Sequence, residues 1–143
     1  MSDNPLGQNV EMPDTYAPDV LFAIPRADAR RALGITDELP FSGQDLWNAW
    51  ELTWLGENGR PSVARCRIRV PADSPSLVES QSLKLYLNSF AMSRYPDAAA
   101  VAEVIRADLA RVTGAPVAVE LESPAAAELS MQTLPGRLID ELT

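Results

Sequence analysis

The stretch DLWNAWELTWLGENGRPSVARCRIRV, residues 45–70, decides the fold. Its first part is rich in aromatic and apolar residues that alternate with polar ones, which favours a β-strand. Asn58 and Gly59 follow, and this pair is a strong hairpin signal because both residues tolerate a positive φ. The last part alternates cleanly again. The two runs therefore predict an antiparallel hairpin with one buried face.

The alternation assigns a face to each side chain of this hairpin. In the first strand one face takes Leu46, Trp50, Leu52 and Trp54, with Asn48 as the exception, and the other takes Trp47, Ala49, Glu51 and Thr53. In the second strand one face takes Ala64, Cys66, Ile68 and Val70, and the other takes Val63, Arg65, Arg67 and Arg69. We expect the tryptophans to pack in the core or at an interface. The arginine stripe is either an anion site or a set of partners for surface carboxylates, and the acidic composition favours the second reading.

Two helices are predicted after the hairpin. Ser76 stands three residues before Glu79, which is a capping-box spacing, so the first helix is predicted over Leu77–Phe90. Pro96 opens the second helix at a position where its missing N–H costs nothing, and Gly114 ends it. Its apolar residues recur at helical spacing: Val101, Val104, Ile105, Leu109 and Val112.

A third strand is predicted in APVAVELES, and the terminal GRLIDELT is either a short fourth strand or the beginning of a unit that the chain does not finish. The order β-β-α-α-β-β places two helices on one face of an antiparallel sheet, which is an α+β domain. Residues 1–45 are predicted to form an extended arm with a short helix over 28–33, and residues 46–124 the core. Residues 125–143 are then a linker or the start of a missing half. Edges of so small a sheet favour pairing with a second copy or a sister domain.

Composition narrows the class of protein. The 143 residues are 46% hydrophobic, which is enough for one domain with its own core. A net charge of −8 disfavours binding to nucleic acid or to anionic membranes. The N-terminus has neither a basic start nor an apolar signal core, so a cytoplasmic protein is expected. With no histidine, a Cys/His zinc site or a histidine-based catalytic unit from this chain alone is excluded, and the single Cys66, on the apolar face of its strand, is expected to be structural.

The first helix carries more polar groups than packing requires. Positions four apart share a helix face, which gives two neighbouring polar stripes: Ser80, Lys84 and Asn88, and then Glu79, Ser82, Tyr86 and Ser89. Backbone N–H groups at a helix start attract acceptors and phosphates, so a ligand would suit this end of the helix. The plain alternative is that Glu79 only caps the helix and Lys84 is a solvated charge.

The segments PFSGQDLWNAWELTWLGENGRP and SLVESQSLKLYLNSF together resemble the N-terminal half of the bimodular QueF enzymes. These are NADPH-dependent 7-cyano-7-deazaguanine reductases of the tunnelling-fold superfamily. The family signature runs Glu-Ser-Lys-Ser-hydrophobic-Lys-Leu-Tyr. In this chain it stands as residues 79–86, and seven of its eight positions fit.

The resemblance implies a role in making queuosine, a modified tRNA nucleoside. The family reduces a nitrile to a primary amine with two NADPH, through attack by a cysteine and proton handling by an aspartate. It implies that Val78, Glu79 and Ser80 contact the deazaguanine. It also implies that Ser80 and Gln81 contact NADPH, with Lys84 near the phosphates. The implied partners are a catalytic C-terminal half or further copies of the chain.

Two departures from the family pattern matter. Gln81 stands where the signature has its first lysine, which removes a cation from the cofactor site. In the bimodular family the nucleophilic cysteine, the aspartate and a His-Glu substrate pair lie in the C-terminal half, so no catalytic residue and no metal ligand is expected here. A non-catalytic deazapurine-binding or assembly module is therefore the alternative. A tunnelling-fold enzyme acting on pterins is a weaker one, since those sites usually need histidine.

Overall fold

The computed structural model describes residues 11–36, 38–124, 135–137 and 139–140. Its elements in these ranges are a 3₁₀ turn at Pro18–Val20, β1 (Ala23–Pro25), α1 (Arg26–Ala32), β2 (Gln44–Leu55), β3 (Pro61–Pro71), β4 (Ser76–Val78), α2 (Ser80–Asn88), α3 (Ala98–Thr113) and β5 (Ala118–Glu122). The α+β class predicted from the sequence is confirmed. The predicted order β-β-α-α-β-β lacks the short strands β1 and β4. Of its alternative fourth strand in GRLIDELT, four of the eight residues lie outside the described residues, and the four described ones are not in a strand.

The sheets are antiparallel. A three-stranded sheet has the order β2-β3-β5, and β1 pairs with β4 in a separate two-stranded sheet. One apolar cluster joins the inward face of β3 to the buried sides of α2 and α3, as predicted. Its most deeply buried members include Cys66, Ile68, Tyr86, Phe90, Val101, Ile105 and Leu109. Both long helices therefore pack on the same face of the larger sheet.

A β-bulge in β2 overturns the predicted faces of that strand. Ala49 pairs with Cys66 and Leu52 with Ala64, so Trp50 and Glu51 together oppose Arg65. One extra residue reverses the alternation, because side chains point to opposite faces with a period of two. The single apolar face predicted for the strand was therefore wrong. Leu52 and Trp54 are buried, whereas Leu46 and Trp50 are 53% and 63% exposed and Trp47 and Ala49 pack against the core instead.

The arginine stripe of β3 pairs with carboxylates, as its favoured reading predicted. Arg69 Nη1 lies 2.6 Å from Glu120 Oε1, and Arg65 forms an ion pair with Glu122. Arg67 Nη1 is 3.9 Å from a carboxylate oxygen of each glutamate. These ion pairs between β3 and β5 thus engage the arginines on the face of the sheet that carries no helix.

The starts of both long helices differ from their predictions. Ser76 is not the cap of α2, because residues 76–78 form β4 and Glu79 is itself the N-cap. Pro96 likewise lies before α3 rather than in its first turn, since Asp97 is the N-cap and accepts a hydrogen bond from Ala100 N at 2.8 Å. Helix α3 does end at Gly114, whose φ of 74° is the left-handed conformation expected there.

The second polar stripe of α2 is not a surface, because Glu79, Ser82, Tyr86 and Ser89 are all buried. Two of its serine hydroxyls bind the N-terminal arm. Ser82 Oγ accepts a hydrogen bond from Phe22 N and Ser89 Oγ accepts one from Ala17 N, each at 3.1 Å. The polar groups of this stripe therefore satisfy backbone donors of the arm.

One carboxylate joins the arm to both long helices. The hydroxyls of Tyr16 and Tyr86 donate to Asp108 Oδ2 at 2.6 and 2.7 Å. Burial, followed by these bonds to Asp108, raises the pKa of both tyrosines above the ordinary phenol value. The Phe90 ring packs edge-on against both tyrosine rings, with centroids 5.4 and 5.2 Å away. The arm is thus anchored by aromatic packing and by paired hydroxyls.

We predict that Ser89→Ala lowers the free energy of unfolding by about 1–2 kcal/mol, because the arm N–H of Ala17 loses its acceptor in a water-poor site. Urea unfolding followed by tryptophan fluorescence measures this. Ser42→Ala, at an exposed position before β2, is the matched control and should change stability little. Equal stability of the two variants would contradict the role assigned to Ser89.

Candidate functional site

A cavity of about 360 Å³ lies between β2 and α2. It is lined by Trp47, Asn48, Ala49, Glu51, Ile68, Ser80, Leu83, Lys84, Leu87 and Asn88. Its floor comes from apolar residues of β2, β3 and α2, and its polar groups come from the outer stripe of α2 and from the bulged part of β2. Such a mixture of apolar walls and a few polar groups is typical of small-molecule sites.

The structure brings together only some of the residues predicted for the site. Ser80 and Lys84 line the cavity. Val78 and Glu79 are 1% and 2% exposed and are not among its lining residues. Gln81 is partly buried and is not among them either. The predicted cofactor residues thus reach the cavity in two of three cases, and the predicted substrate residues only through Ser80.

The carboxylate of Glu79 closes the start of α2. Its Oε1 accepts from Gln81 N at 2.8 Å and from Ser80 Oγ at 3.3 Å, and its Oε2 accepts from Ser82 N at 2.7 Å. Burial raises the pKa of this carboxyl, but the backbone N–H and hydroxyl donors outweigh burial and hold the pKa below its usual value. Glu79 is therefore an ionised cap inside the protein.

Two opposite charges in the cavity have no partner among the described residues. Lys84 is the only lysine of the sequence, and it is exposed. Glu51 is also exposed, and neither side chain has a hydrogen bond or ion pair within the part of the chain that the structure describes. Sequence reasoning assigned Glu51 only to a strand face. That face, with Trp47 and Ala49, is the one that lines the cavity, but the alternation of residue types did not show that it packs towards α2.

Cys66 lies on the core face of β3 and is fully buried. Burial raises the pKa of its thiol to about 12, which leaves the neutral, unreactive form at physiological pH. It does not line the cavity. Among the described residues there is no group of three or more His, Cys, Asp or Glu side chains placed to hold a metal ion. No helix in these ranges is long and apolar enough to cross a membrane.

A comparison with family models identifies the chain. The family described as nitrile reductase, 7-cyano-7-deazaguanine reductase N-terminal domain, matches residues 12–121. The chain belongs to this family. The match covers the described strands and helices from the arm to β5, except for the last residue of β5, so the resemblance carried by the hairpin and the signature helix is confirmed.

Curated relatives carry the same family name. A protein of Bordetella pertussis called NADPH-dependent 7-cyano-7-deazaguanine reductase is 50% identical over 143 residues, which is 99% of this chain and 52% of the relative. A reductase of the same name from Desulfotalea psychrophila is 48% identical over 139 residues, or 96% of this chain and 50% of the relative. A third, from Dechloromonas aromatica, is 50% identical over 141 residues, or 97% and 50%. The chain spans about half the length of the curated relatives it matches.

The buried cap of α2 predicts a pH-dependent stability. At pH 7 we expect Glu79→Gln to lower the free energy of unfolding by about 1–2 kcal/mol, because an amide cannot accept both backbone donors. The folded pKa lies below the ordinary 4.5, so the stabilisation is complete above that pH and is lost as the pH falls through the folded pKa. Chemical unfolding at several pH values measures the gap between the two proteins.

Glu57→Gln is the matched control for this series, since Glu57 is an exposed glutamate in the hairpin turn. Its stability should follow that of the unchanged protein at every pH. A gap between Glu79→Gln and the unchanged protein that stays constant into acid would contradict an ionised cap.

The buried thiol predicts slow modification. At pH 8 we expect Cys66 to resist a chromogenic disulfide reagent in the native protein and to react fully in denaturant, because its pKa of about 12 keeps it protonated. The intact mass should also stay unchanged after incubation with 7-cyano-7-deazaguanine. Rapid modification of the native protein, or a covalent adduct with the nitrile, would show that the cysteine is an accessible nucleophile.

Proposed function

We propose that this chain is the N-terminal module of an NADPH-dependent nitrile reductase that converts 7-cyano-7-deazaguanine to 7-aminomethyl-7-deazaguanine in queuosine biosynthesis. The observation that carries the proposal is the family match over residues 12–121, together with near 50% identity to reductases of that name. In this reading the module supplies ligand recognition, and the covalent chemistry comes from the half of the relatives that this chain does not match.

The proposed recognition residues sit at and beside the start of α2. Val78, Glu79 and Ser80 contact the deazaguanine, and Ser80, Gln81 and Lys84 contact NADPH. The cavity beside Ser80 and Lys84 supports the cofactor side, as does the ammonium of Lys84, which has no ion-pair partner among the described residues. The capped helix start supports the substrate side by holding the backbone of these residues rigid, although the Glu79 carboxylate is already occupied by the helix itself.

The finer architecture belongs to the same proposal. We assign the domain to the tunnelling fold, with an arm over residues 1–45, a core over 46–124 and a linker over 125–143. Strands β2 and β5 are the edges of the described sheet, and such edges suit pairing with the catalytic half or with another copy of the chain. We also propose a cytoplasmic protein that acts on the free base. The net charge of −8 supports the absence of direct contact with nucleic acid or membrane.

The test is reconstitution of the reaction. The chain is mixed with the C-terminal half of the Bordetella pertussis reductase, and NADPH oxidation is followed by absorbance with 7-cyano-7-deazaguanine present. We expect oxidation only when both halves are present, with two NADPH consumed for each nitrile. The control pairs the same C-terminal half with the N-terminal half of its own protein.

Activity of the control without activity of the mixture would contradict the catalytic proposal. The alternative is a module that binds the deazapurine but takes no part in reduction, and the loss of the signature lysine at Gln81 favours it. Calorimetry with 7-cyano-7-deazaguanine separates the two, since binding without turnover in the mixture fits only the alternative.

A further inference from the structure

Trp50 and Glu51 form the bulge in β2 and point to opposite faces of the sheet. Trp50 lies on the helix-free face, where its ring is 5.6 Å from the Arg65 guanidinium carbon, and Glu51 lines the cavity against α2. Glu51 continues the alternation of Trp47 and Ala49, which line the same cavity. Because Trp50 and Glu51 together oppose Arg65, Glu51 has no residue of its own opposite it in the ladder.

The cavity holds a carboxylate and an ammonium that do not pair with each other. Among the described residues no ion pair joins Glu51 to Lys84, although both line the same cavity. Elsewhere on the described surface several such charges pair, as Arg69 does with Glu120 and Arg106 with Glu103. The space between Glu51 and Lys84 therefore suits a ligand with a donor group for the first and an anion for the second.

The lining indicates which ligand this is. Ser80, which is shared by both proposed sets, lines the cavity, and so does the cofactor residue Lys84, whereas Gln81 does not. The remaining substrate residues, Val78 and Glu79, are buried away from it. NADPH carries a 2′-phosphate on its adenosine ribose, where NAD sites place an acidic side chain, so a carboxylate suits its other ribose, the nicotinamide ribose, whose hydroxyls are free. The pyrophosphate lies next to that ribose, so Glu51 and Lys84 match neighbouring parts of one cofactor.

We propose that Glu51 is a cofactor-binding residue whose carboxylate accepts hydrogen bonds from a ribose of NADPH while Lys84 binds an adjacent phosphate. This inference rests on the proposed function. It adds a residue of β2, outside the signature helix, to the cofactor site.

The sign of one mutational effect tests this. NADPH is polyanionic, so a carboxylate that only stands nearby repels it, and Glu51→Gln would then tighten binding. A carboxylate that accepts hydrogen bonds from ribose hydroxyls attracts the cofactor instead. In that case Glu51→Gln is expected to weaken NADPH binding about 10-fold or more. Calorimetry with the 143-residue chain measures NADPH binding to the unchanged protein, Glu51→Gln and Lys84→Gln, with Glu57→Gln as the control.

Inorganic tripolyphosphate is the second probe, because it offers phosphate charge without hydroxyl donors. We expect Lys84→Gln to weaken both ligands, and Glu51→Gln to weaken NADPH while leaving tripolyphosphate unchanged or tighter. If Glu51→Gln disrupted the structure in general, it would weaken the binding of NADPH and of tripolyphosphate alike. Opposite responses of the two ligands exclude that explanation. Unfolding midpoints of the variants should match, since Glu51 has no partner within the described residues.

The outcomes separate the inference from the function on which it rests. If the unchanged chain binds NADPH and Glu51→Gln binds it equally or more tightly, the role of Glu51 is overturned and the proposed function stands. If Glu51→Gln weakens the binding of NADPH and of tripolyphosphate together, the proposed ribose contact is also overturned. If the unchanged chain shows no saturable NADPH binding, cofactor recognition by this module fails, and the inference fails with it.

Discussion

The buried cap at Glu79 is the interaction on which the rest of the structure depends. Its N–H donates to Phe22 O at 2.9 Å, which attaches the arm, and its carboxylate accepts from Gln81 N and Ser82 N, which starts α2. The three preceding residues form β4 against β1. An ionised group this deeply buried persists only where several donors surround it, so the arm, β4 and α2 form one unit around it.

The varied polar set of α2 has two separate uses. Its buried stripe satisfies donors of the arm through Ser82 and Ser89 and ties the helix to α3 through Tyr86 and Asp108. Its exposed stripe, with Ser80 and Lys84, lines the cavity. Hydroxyls that bond backbone groups hold the helix in place while the opposite side stays open. The same sequence thus encodes both the anchoring of the helix and the site that it presents.

Local patterns predicted the parts of the fold that local forces decide. Alternation in β3 fixed its buried face, and Asn58-Gly59 fixed the hairpin, because pleat and turn depend on neighbouring residues. The path of the arm could not be predicted from local patterns, since Ala17 N donates to Ser89 Oγ, 72 residues away in the sequence. The cavity was partly predictable. The signature helix supplied Ser80 and Lys84, and the alternation in β2 placed Glu51 on one face with Trp47 and Ala49, which line the cavity as well. The alternation could not show that this face packs towards the helices, because the bulge brings Leu52 and Trp54 to the same side.

The charges of the cavity limit how tightly it binds an anionic cofactor by itself. It presents one ammonium and one carboxylate, so its walls are neutral overall, in a chain whose net charge is −8. The family lysine that would add a second cation is Gln81 here, and the arginines of β3 are engaged with Glu120 and Glu122 on the other face. A polyanionic cofactor is weakly attracted to such a surface. The chain alone is then expected to bind NADPH measurably but weakly. Tighter binding requires cations from beyond this cavity, and the open sheet edges at β2 and β5 are where a partner that carries them has backbone groups to pair with.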